Sequence, residues 1–108
     1  MGFELLDVAY EAIARLRVVV RTVERSDRDL ARQIRRAASS IALNIGEARE
    51  REQRDRVHLI RIAHGSASEV RVALQVALAW GFLDAETVEP IDTLLDRIGA
   101  MCWRLSGR

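Results

Sequence analysis

The sequence predicts an all-α protein, specifically an antiparallel up-down-up-down four-helix bundle. Apolar residues recur at alternating spacings of three and four along four segments, which is the period of helices with one buried face. Apolar residues make up 49% of the 108 residues, enough to supply a bundle core, and the chain has only one proline. A chain of this length typically forms one domain, so we expect residues 1–108 to fold as a single unit.

The first two helices are predicted over residues 3–24 and 27–49. The apolar stripe of the first comprises Leu6, Ala9, Ile13, Leu16, Val20 and Val23. The stripe of the second comprises Leu30, Ile34, Ala37, Ile41, Asn44 and Ala48, in which Asn44 is the polar exception. Ser26 followed by Asp29 resembles a capping box, so we expect Ser26 to cap the second helix.

The third and fourth helices are predicted over residues 53–81 and 88–106. Their stripes comprise Leu59, Ala63, Ser66, Val70, Ala73, Ala77 and Trp80, and then Val88, Ile91, Leu95, Ile98, Cys102 and Leu105. Gly81 can end the third helix in a left-handed conformation. Pro90 is tolerated only where helical N–H groups lack partners, so Thr87 is the expected cap of the fourth helix.

The connection between the second and third helices has the weakest signal. Residues 48–56 contain no Gly, Pro, Ser or Asn, and all of them are good or fair helix formers. An unbroken helix there would be a rod of about 54 residues, about 80 Å long. Such a rod could not bury its apolar stripes within one chain, so we favour a closed bundle with a bend allowed by Gly46 and the charge-dense residues after it.

Charge is balanced overall but segregated along the chain. The 17 basic residues, all arginine, and 16 acidic residues give a net charge of +1, which removes the bulk electrostatic case for nucleic-acid binding. However, Arg15 to Arg36 contains eight arginines and three acids, and Asp84 to Asp96 contains five acids and no arginine. In an up-down-up-down bundle these clusters share one end, so mutual neutralisation is the favoured interpretation.

Two other interpretations of this segregation remain open. Acidic and basic patches of neighbouring copies could pair head to tail and close into a ring. The basic cluster could instead bind nucleic-acid phosphates. The candidate nucleic-acid-binding residues are Arg17, Arg21, Arg25, Arg28, Arg32 and Arg35.

Patterns typical of catalysis and cofactor binding are missing from the sequence. His58 and His64 are six residues apart and cannot form the i, i+4 pair of a helical metal site, and Cys102 lies on a core stripe. We therefore expect no enzyme, metal, cofactor or small-molecule substrate; a ligand site around Asn44, Glu47, His64 and Glu69 ranks last. No apolar run is long enough to span a membrane and no signal layout opens the chain, so we expect a cytoplasmic protein.

Two segments, residues 33–48 and 61–70, place small residues on helix faces that should meet. Asn44 lies within this contact, and leaving its amide without a partner would cost about 1–3 kcal/mol. Ser66 and Glu69 are the expected hydrogen-bond partners of Asn44.

The same segments resemble the bacterial four-helix-bundle family of 23S rRNA intervening-sequence proteins. Residues that match the family pattern are Gln33, Arg36, Ala37, Ser40, Ile41, Asn44, Ile45 and Glu47, and then Ile62, Ala63, Gly65, Ser66 and Glu69. The resemblance implies an antiparallel bundle that assembles as a homo-pentamer and is not an enzyme. It also relates the chain to the accessory protein of diversity-generating retroelements, which implies binding to nucleic acid and a reverse transcriptase.

These observations predict a non-enzymatic, self-assembling interaction module, with itself as the main partner. A second apolar line beside each core stripe motivates this hypothesis, because a monomer would expose it. Examples of this line are Leu5, Val8, Ala12 and Val19, or Leu94, Met101 and Trp103. The alternative is a nucleic-acid-binding accessory protein acting through the arginine-rich corner.

Overall fold

The computed structural model describes residues 3–107 and shows the predicted four-helix bundle. Its helices are α1 (Phe3–Glu24), α2 (Arg28–Ala48), α3 (Gln53–Ala79) and α4 (Ala85–Leu105). Each helix packs against the next, and α4 packs back against α1. The bundle measures 42 × 22 × 20 Å. This order of contacts closes a ring of antiparallel neighbours around one core, which confirms the predicted fold class.

The core is formed mainly by the predicted stripes; Ile34, Val70 and Leu95, for example, are fully buried. A second apolar line beside each core stripe was expected to be exposed in a monomer; Trp103 on α4 is 48% exposed, but on α1 this expectation was wrong. The α1 members Leu5, Val8, Ala12 and Val19 are all buried. Because α1 packs against both α2 and α4, it buries two adjacent stripes rather than one.

Two helix caps differ from the predicted ones. The carboxylate of Asp27, not the hydroxyl of Ser26, caps α2 and accepts a 2.9 Å hydrogen bond from the Leu30 N–H. Likewise Asp84, not Thr87, caps α4 and accepts a 2.8 Å bond from the Thr87 N–H. In both places a carboxylate, which also suits the positive end of the helix dipole, takes the position from a neighbouring hydroxyl residue.

Because α4 begins three residues earlier than predicted, Pro90 lies inside the helix rather than in its first turn. Pro90 provides no N–H for a helical bond to the carbonyl of Glu86. Both residues are exposed, so the carbonyl that loses its partner is not buried. Surface exposure therefore explains why the helix tolerates this proline.

The turn between α2 and α3 excludes the continuous rod. The helix breaks after Ala48 and resumes at Gln53, so Gly46 lies inside α2 and is not the bend. The guanidinium of Arg56 donates hydrogen bonds to the carbonyls of Ala48 and Arg51, at 3.3 and 3.0 Å. A side chain from the first turn of α3 thus satisfies backbone acceptors of the turn, in the absence of glycine.

The turn between α3 and α4 follows the sequence prediction more closely. Gly81 has a φ of +81°, the left-handed conformation predicted for it. The N–H of Phe82 bonds to the Ala77 carbonyl and the N–H of Gly81 to the Leu78 carbonyl, which is a Schellman motif.

Across the described residues, no helix has the length and apolar content needed to cross a membrane.

Candidate functional site

Two surfaces carry the residues that the sequence singles out. We call the first the motif face; it is the α2–α3 surface that carries Arg36, Ser40, Asn44, Glu47, Gly65, Ser66 and Glu69. We call the second the arginine groove; it lies between α1 and α2 and is lined by Arg17, Arg21 and Arg35. Both surfaces share α2, which contributes a different side of the helix to each.

At the motif face, a chain of short hydrogen bonds joins the two helices. The hydroxyl groups of Ser40 and Ser66 lie 2.8 Å apart across the α2–α3 contact. The side-chain amide of Asn44 donates to the carbonyl of Ser40 at 2.8 Å and to its hydroxyl at 3.0 Å. The expected direct bonds from Asn44 to Ser66 and Glu69 were wrong, because the i, i+4 spacing places a closer acceptor one turn back on α2.

The charged members of the motif face differ in how they are satisfied. Glu47 accepts a 2.9 Å hydrogen bond from Arg51, one turn along the chain. Arg36 and Glu69 are exposed, and neither makes an ion pair with any residue that the structure describes. The Ser40–Ser66 contact sets the antiparallel register and places these two residues at nearly the same level of the bundle. Two opposite, unpaired charges therefore lie on one face.

The centre of the motif face is open. A Cβ added to Gly65 would meet no atom within 4 Å, so packing inside this chain does not require glycine there. Gly65 instead lies in a groove of about 450 Å³. Its walls include Leu30 and Gln33 from α2 and Val72 and Val76 from α3.

An exposed apolar stripe runs along the outer side of α3 and borders this groove. We call it the α3 outer stripe; it consists of Ile62, Val72, Val76 and Trp80, with exposures of 39%, 64%, 39% and 70%. Leu43, on the adjoining side of α2, is 70% exposed. Sequence reasoning missed this stripe because Gly65 and Glu69 interrupt it. The spacing of three and four from Ile62 through Trp80 is the signal that could have found it. The prediction that Trp80 belongs to the core stripe of the third helix was wrong, since the side chain is exposed.

The arginine groove has a volume of about 390 Å³. Its floor is apolar and includes Ile13, Leu16, Val20 and Ala38, and its rim carries the guanidinium groups of three arginines and the phenol of Tyr10. These arginines are Arg17, Arg21 and Arg35. No carboxylate of the described chain pairs with any of the three.

The structure thus brings three of the six candidate arginines into the groove and leaves three outside it. Arg25 and Arg28 lie at the α1–α2 turn, also without an ion-pair partner in the described residues. Arg32 lies 3.7 Å from the carboxylate of Asp29, in an exposed pair on the same helix. Five of the six candidates are therefore free of acidic partners.

The expected mutual neutralisation of the two charge clusters was wrong at the level of contacts. No ion pair within residues 3–107 joins the arginine-rich segment to the acidic segment of α4. Instead, Arg71 of α3 binds Asp92 through two parallel bonds of 2.8 and 3.1 Å and binds Asp96 at 3.0 Å. We call these three residues the Arg71 cluster. The hydrogen bonds that Arg71 donates to the Asp92 carboxylate raise the pKa of the Arg71 guanidinium.

The hypothesis of a ligand site around Asn44, Glu47, His64 and Glu69 was wrong, because His64 lies elsewhere. Its ring packs against Gly99 and meets the edge of Trp103, with ring centroids 6.3 Å apart, on the α3–α4 side of the bundle. Among the residues described, no three His, Cys, Asp or Glu side chains cluster as metal ligands would. Burial raises the pKa of the Cys102 thiol to about 11, in keeping with its predicted place in the core.

Comparison with known proteins gives one family and a structural match. The model of the 23S rRNA-intervening sequence protein family matches residues 4–104. A crystal structure of a protein of unknown function from the S23 ribosomal protein family of Bacteroides thetaiotaomicron is similar, with a TM-score of 0.88 and 21% sequence identity. The match covers 96% of this chain and 99% of that chain, and at this identity it shows a shared fold. No curated protein matches the sequence.

Proposed function

Because the chain belongs to the 23S rRNA-intervening sequence protein family, we propose that it is a non-enzymatic module that assembles with copies of itself through the motif face. The α3 outer stripe is the observation that carries this proposal. Monomeric proteins rarely expose large apolar patches, and Val72, Val76 and Trp80 are exposed at successive turns on one side of α3. The number of copies, five in a closed ring, follows from the family resemblance noted above.

The chemistry of the motif face supports contact with another protein surface. The apolar side chains of the α3 outer stripe, together with Leu43, would be removed from water by a partner, which stabilises association. Between them, Gly65 leaves room for an approaching helix. The unpaired charges of Arg36 and Glu69 are complementary, so the same two residues on neighbouring copies can pair across the contact.

A matched pair of substitutions tests this proposal. Val72 and Val18 are 64% and 65% exposed, but Val72 lies on the motif face and Val18 on α1. Native mass spectrometry should show a pentamer for the wild type, monomers for Val72→Asp and a pentamer for Val18→Asp, because only the first variant buries a charge on assembly. A monomeric wild type at micromolar concentration, or equal effects of the two substitutions, would contradict the proposal.

A second candidate function is nucleic-acid binding through the arginine-rich corner, as an accessory protein that could also contact a reverse transcriptase. The five unpaired arginines around the α1–α2 turn support it, because guanidinium groups without acidic partners remain available for phosphates. A ring of copies would multiply this surface and increase its avidity.

Fluorescence anisotropy with a labelled oligonucleotide tests the second candidate. Affinity should fall steeply as salt rises, because each neutralised phosphate releases counterions. Arg71→Gln, at a position outside the corner, should leave the salt dependence unchanged. Absence of binding at low salt would reject this candidate.

A further inference from the structure

We infer that the arginine groove holds one unpaired base of a single-stranded nucleic acid, while the arginines around it bind the flanking phosphates. This inference rests on the second candidate function and names its ligand class. The charge of the corner alone would not favour single strands over duplexes. The protein should bind single strands in preference to duplexes of the same sequence.

The shape and floor of the groove favour an apolar, flat group. Its volume of about 390 Å³ lies within the range of small-ligand sites. Leu16 and Val20 close the floor and are buried, and the small residues Ala14, Ala38 and Ser39 leave the opening wide. A base face would remove this apolar surface from water, whereas a phosphate alone would gain nothing from it.

The charges of the rim favour an anion attached to that group. No residue lining the groove is acidic, and all three of its arginines lack carboxylate partners in the described chain. In the Arg71 cluster, by contrast, one guanidinium already holds two carboxylates. The groove therefore offers unsatisfied bidentate donors beside an apolar surface, which suits a phosphate joined to a base.

The spacing of charges along α1 favours an extended strand. Arg17 and Arg21 are four residues apart on α1, so they lie about 6 Å apart along the helix axis, and Arg25 follows in the turn after α1. This distance is close to the separation of neighbouring phosphates in an extended single strand. Tyr10 lies on the rim of the groove with 56% of its surface exposed and offers a ring on which a neighbouring base can stack.

A duplex cannot make the same contacts. Its bases are stacked and paired, so it can present only phosphates to the arginines unless a base is extruded at additional cost. We therefore expect the groove floor and Tyr10 to contribute to binding of single strands only. The arginines should contribute to binding of both forms.

The experiment separates the groove from the charge. Ala14 is exposed and lines the groove, so Ala14→Leu narrows it while keeping every arginine and adding no aromatic ring. Anisotropy titrations at fixed low salt compare a labelled single-stranded oligonucleotide with the duplex of the same sequence. Ala14→Leu should weaken single-strand binding at least about fivefold and change duplex binding less than about twofold, given the usual contribution of base stacking.

Two further variants complete the test. Tyr10→Ser should lower single-strand affinity selectively, as Ala14→Leu does, and it adds no bulk that disturbs folding. Arg21→Gln, in the groove, should cost more single-strand affinity than Arg28→Gln, which removes the same charge outside it. Circular dichroism of each variant verifies the helical fold.

The outcomes distinguish this inference from the second candidate function, on which it rests. If the wild type binds in a salt-dependent manner but Ala14→Leu and Tyr10→Ser bind single strands normally, the groove is not a base site and binding depends on charge alone. Equal wild-type affinity for both forms has the same meaning. If neither form binds at low salt, the second candidate function fails as well.

Discussion

The arginine groove and the Arg71 cluster both contain arginine side chains, but only in the Arg71 cluster do carboxylates bind the guanidinium group. Both lie over seams between antiparallel helices with buried leucines beneath them, Leu16 in one and Leu95 in the other. In the Arg71 cluster, one guanidinium is held by two carboxylates of the next helix. In the groove, three guanidinium groups find no carboxylate among the described residues. The comparison teaches that acids placed on α4 stabilise its contact with α3 and leave the charge of the α1–α2 corner intact.

The largest expected effect tests whether the buried leucines beneath the arginine groove and beneath the Arg71 cluster contribute equally to stability. Leu95→Ala and Leu16→Ala each remove a side chain that is at most 2% exposed. Each should lower the free energy of unfolding by about 2–5 kcal/mol through lost burial and a cavity. Urea denaturation at one fixed protein concentration measures both. A loss below about 1 kcal/mol for either variant would show that the core closes around the missing leucine at that site. The two helix contacts would then differ in their buried packing as well as in their charges.

A smaller effect tests the Arg71 cluster itself. Arg71→Met keeps the aliphatic stem but leaves Asp92 and Asp96 without their shared partner. We expect a loss of about 1 kcal/mol, limited because the Arg71 side chain remains 39% exposed to solvent. Arg61→Met is the matched control on α3, since Arg61 is exposed and makes no ion pair with the described residues. Equal urea midpoints for the two variants would show that the Arg71 cluster does not contribute to stability.

A change in the opposite direction is expected at the basic corner. Arg28 is the first residue of α2, where a cation opposes the helix dipole and adjoins other unpaired arginines. Arg28→Gln should therefore raise the free energy of unfolding at low salt by up to about 0.5 kcal/mol, and high salt should abolish the gain. Thermal melts at both salt concentrations measure this. Destabilisation by Arg28→Gln would indicate that its charge is satisfied within the fold.

The smallest effect concerns the acidic side of the comparison, at the start of α4. The hydrogen bond from Thr87 holds the pKa of Asp84 below its ordinary value of 3.8. Its capping contribution is thus fully present above that value and is lost as the pH falls through the lower pKa of the folded state. NMR titration of the carboxyl group measures this pKa. Asp84→Asn retains a capping side chain without titrating, so its stability should lack this acid-dependent component; an unshifted Asp84 pKa would contradict the capping role.

The fold was predictable because each apolar stripe is local to its helix. Helix ends were less so, since Ser26 competes with Asp27, and Thr87 with Asp84, for the same kind of cap. The turn after Ala48 was predicted within one residue, but only because an unbroken rod could not bury its stripes. Its local sequence has no turn signal, and part of its hydrogen bonding comes from Arg56 in the next helix.

Prediction of the candidate surfaces followed the same rule. Motif spacing identified the α2–α3 contact, which depends on positions within two helices, but not the Ser40–Ser66 hydrogen bond, since Ser66 was expected to bind Asn44. The sequence could not tell which arginines converge, because Arg17 and Arg35 meet only through the packing of α1 on α2. It also misplaced part of the exposed apolar surface: α1 buries the line that was expected to be exposed, whereas the α3 outer stripe was not expected.

The side chain of Arg56 has a consequence for how copies of this chain avoid exchanging helices. Residues 48–56 favour a continuous helix by composition, so the hairpin persists only while its bent backbone is stabilised. Without that guanidinium, straightening the connection would project α3 and α4 away from α1 and α2, and each half could complete its core with the other half of a second molecule. One hydrogen-bonding side chain thereby opposes domain swapping, and the chain closes on itself.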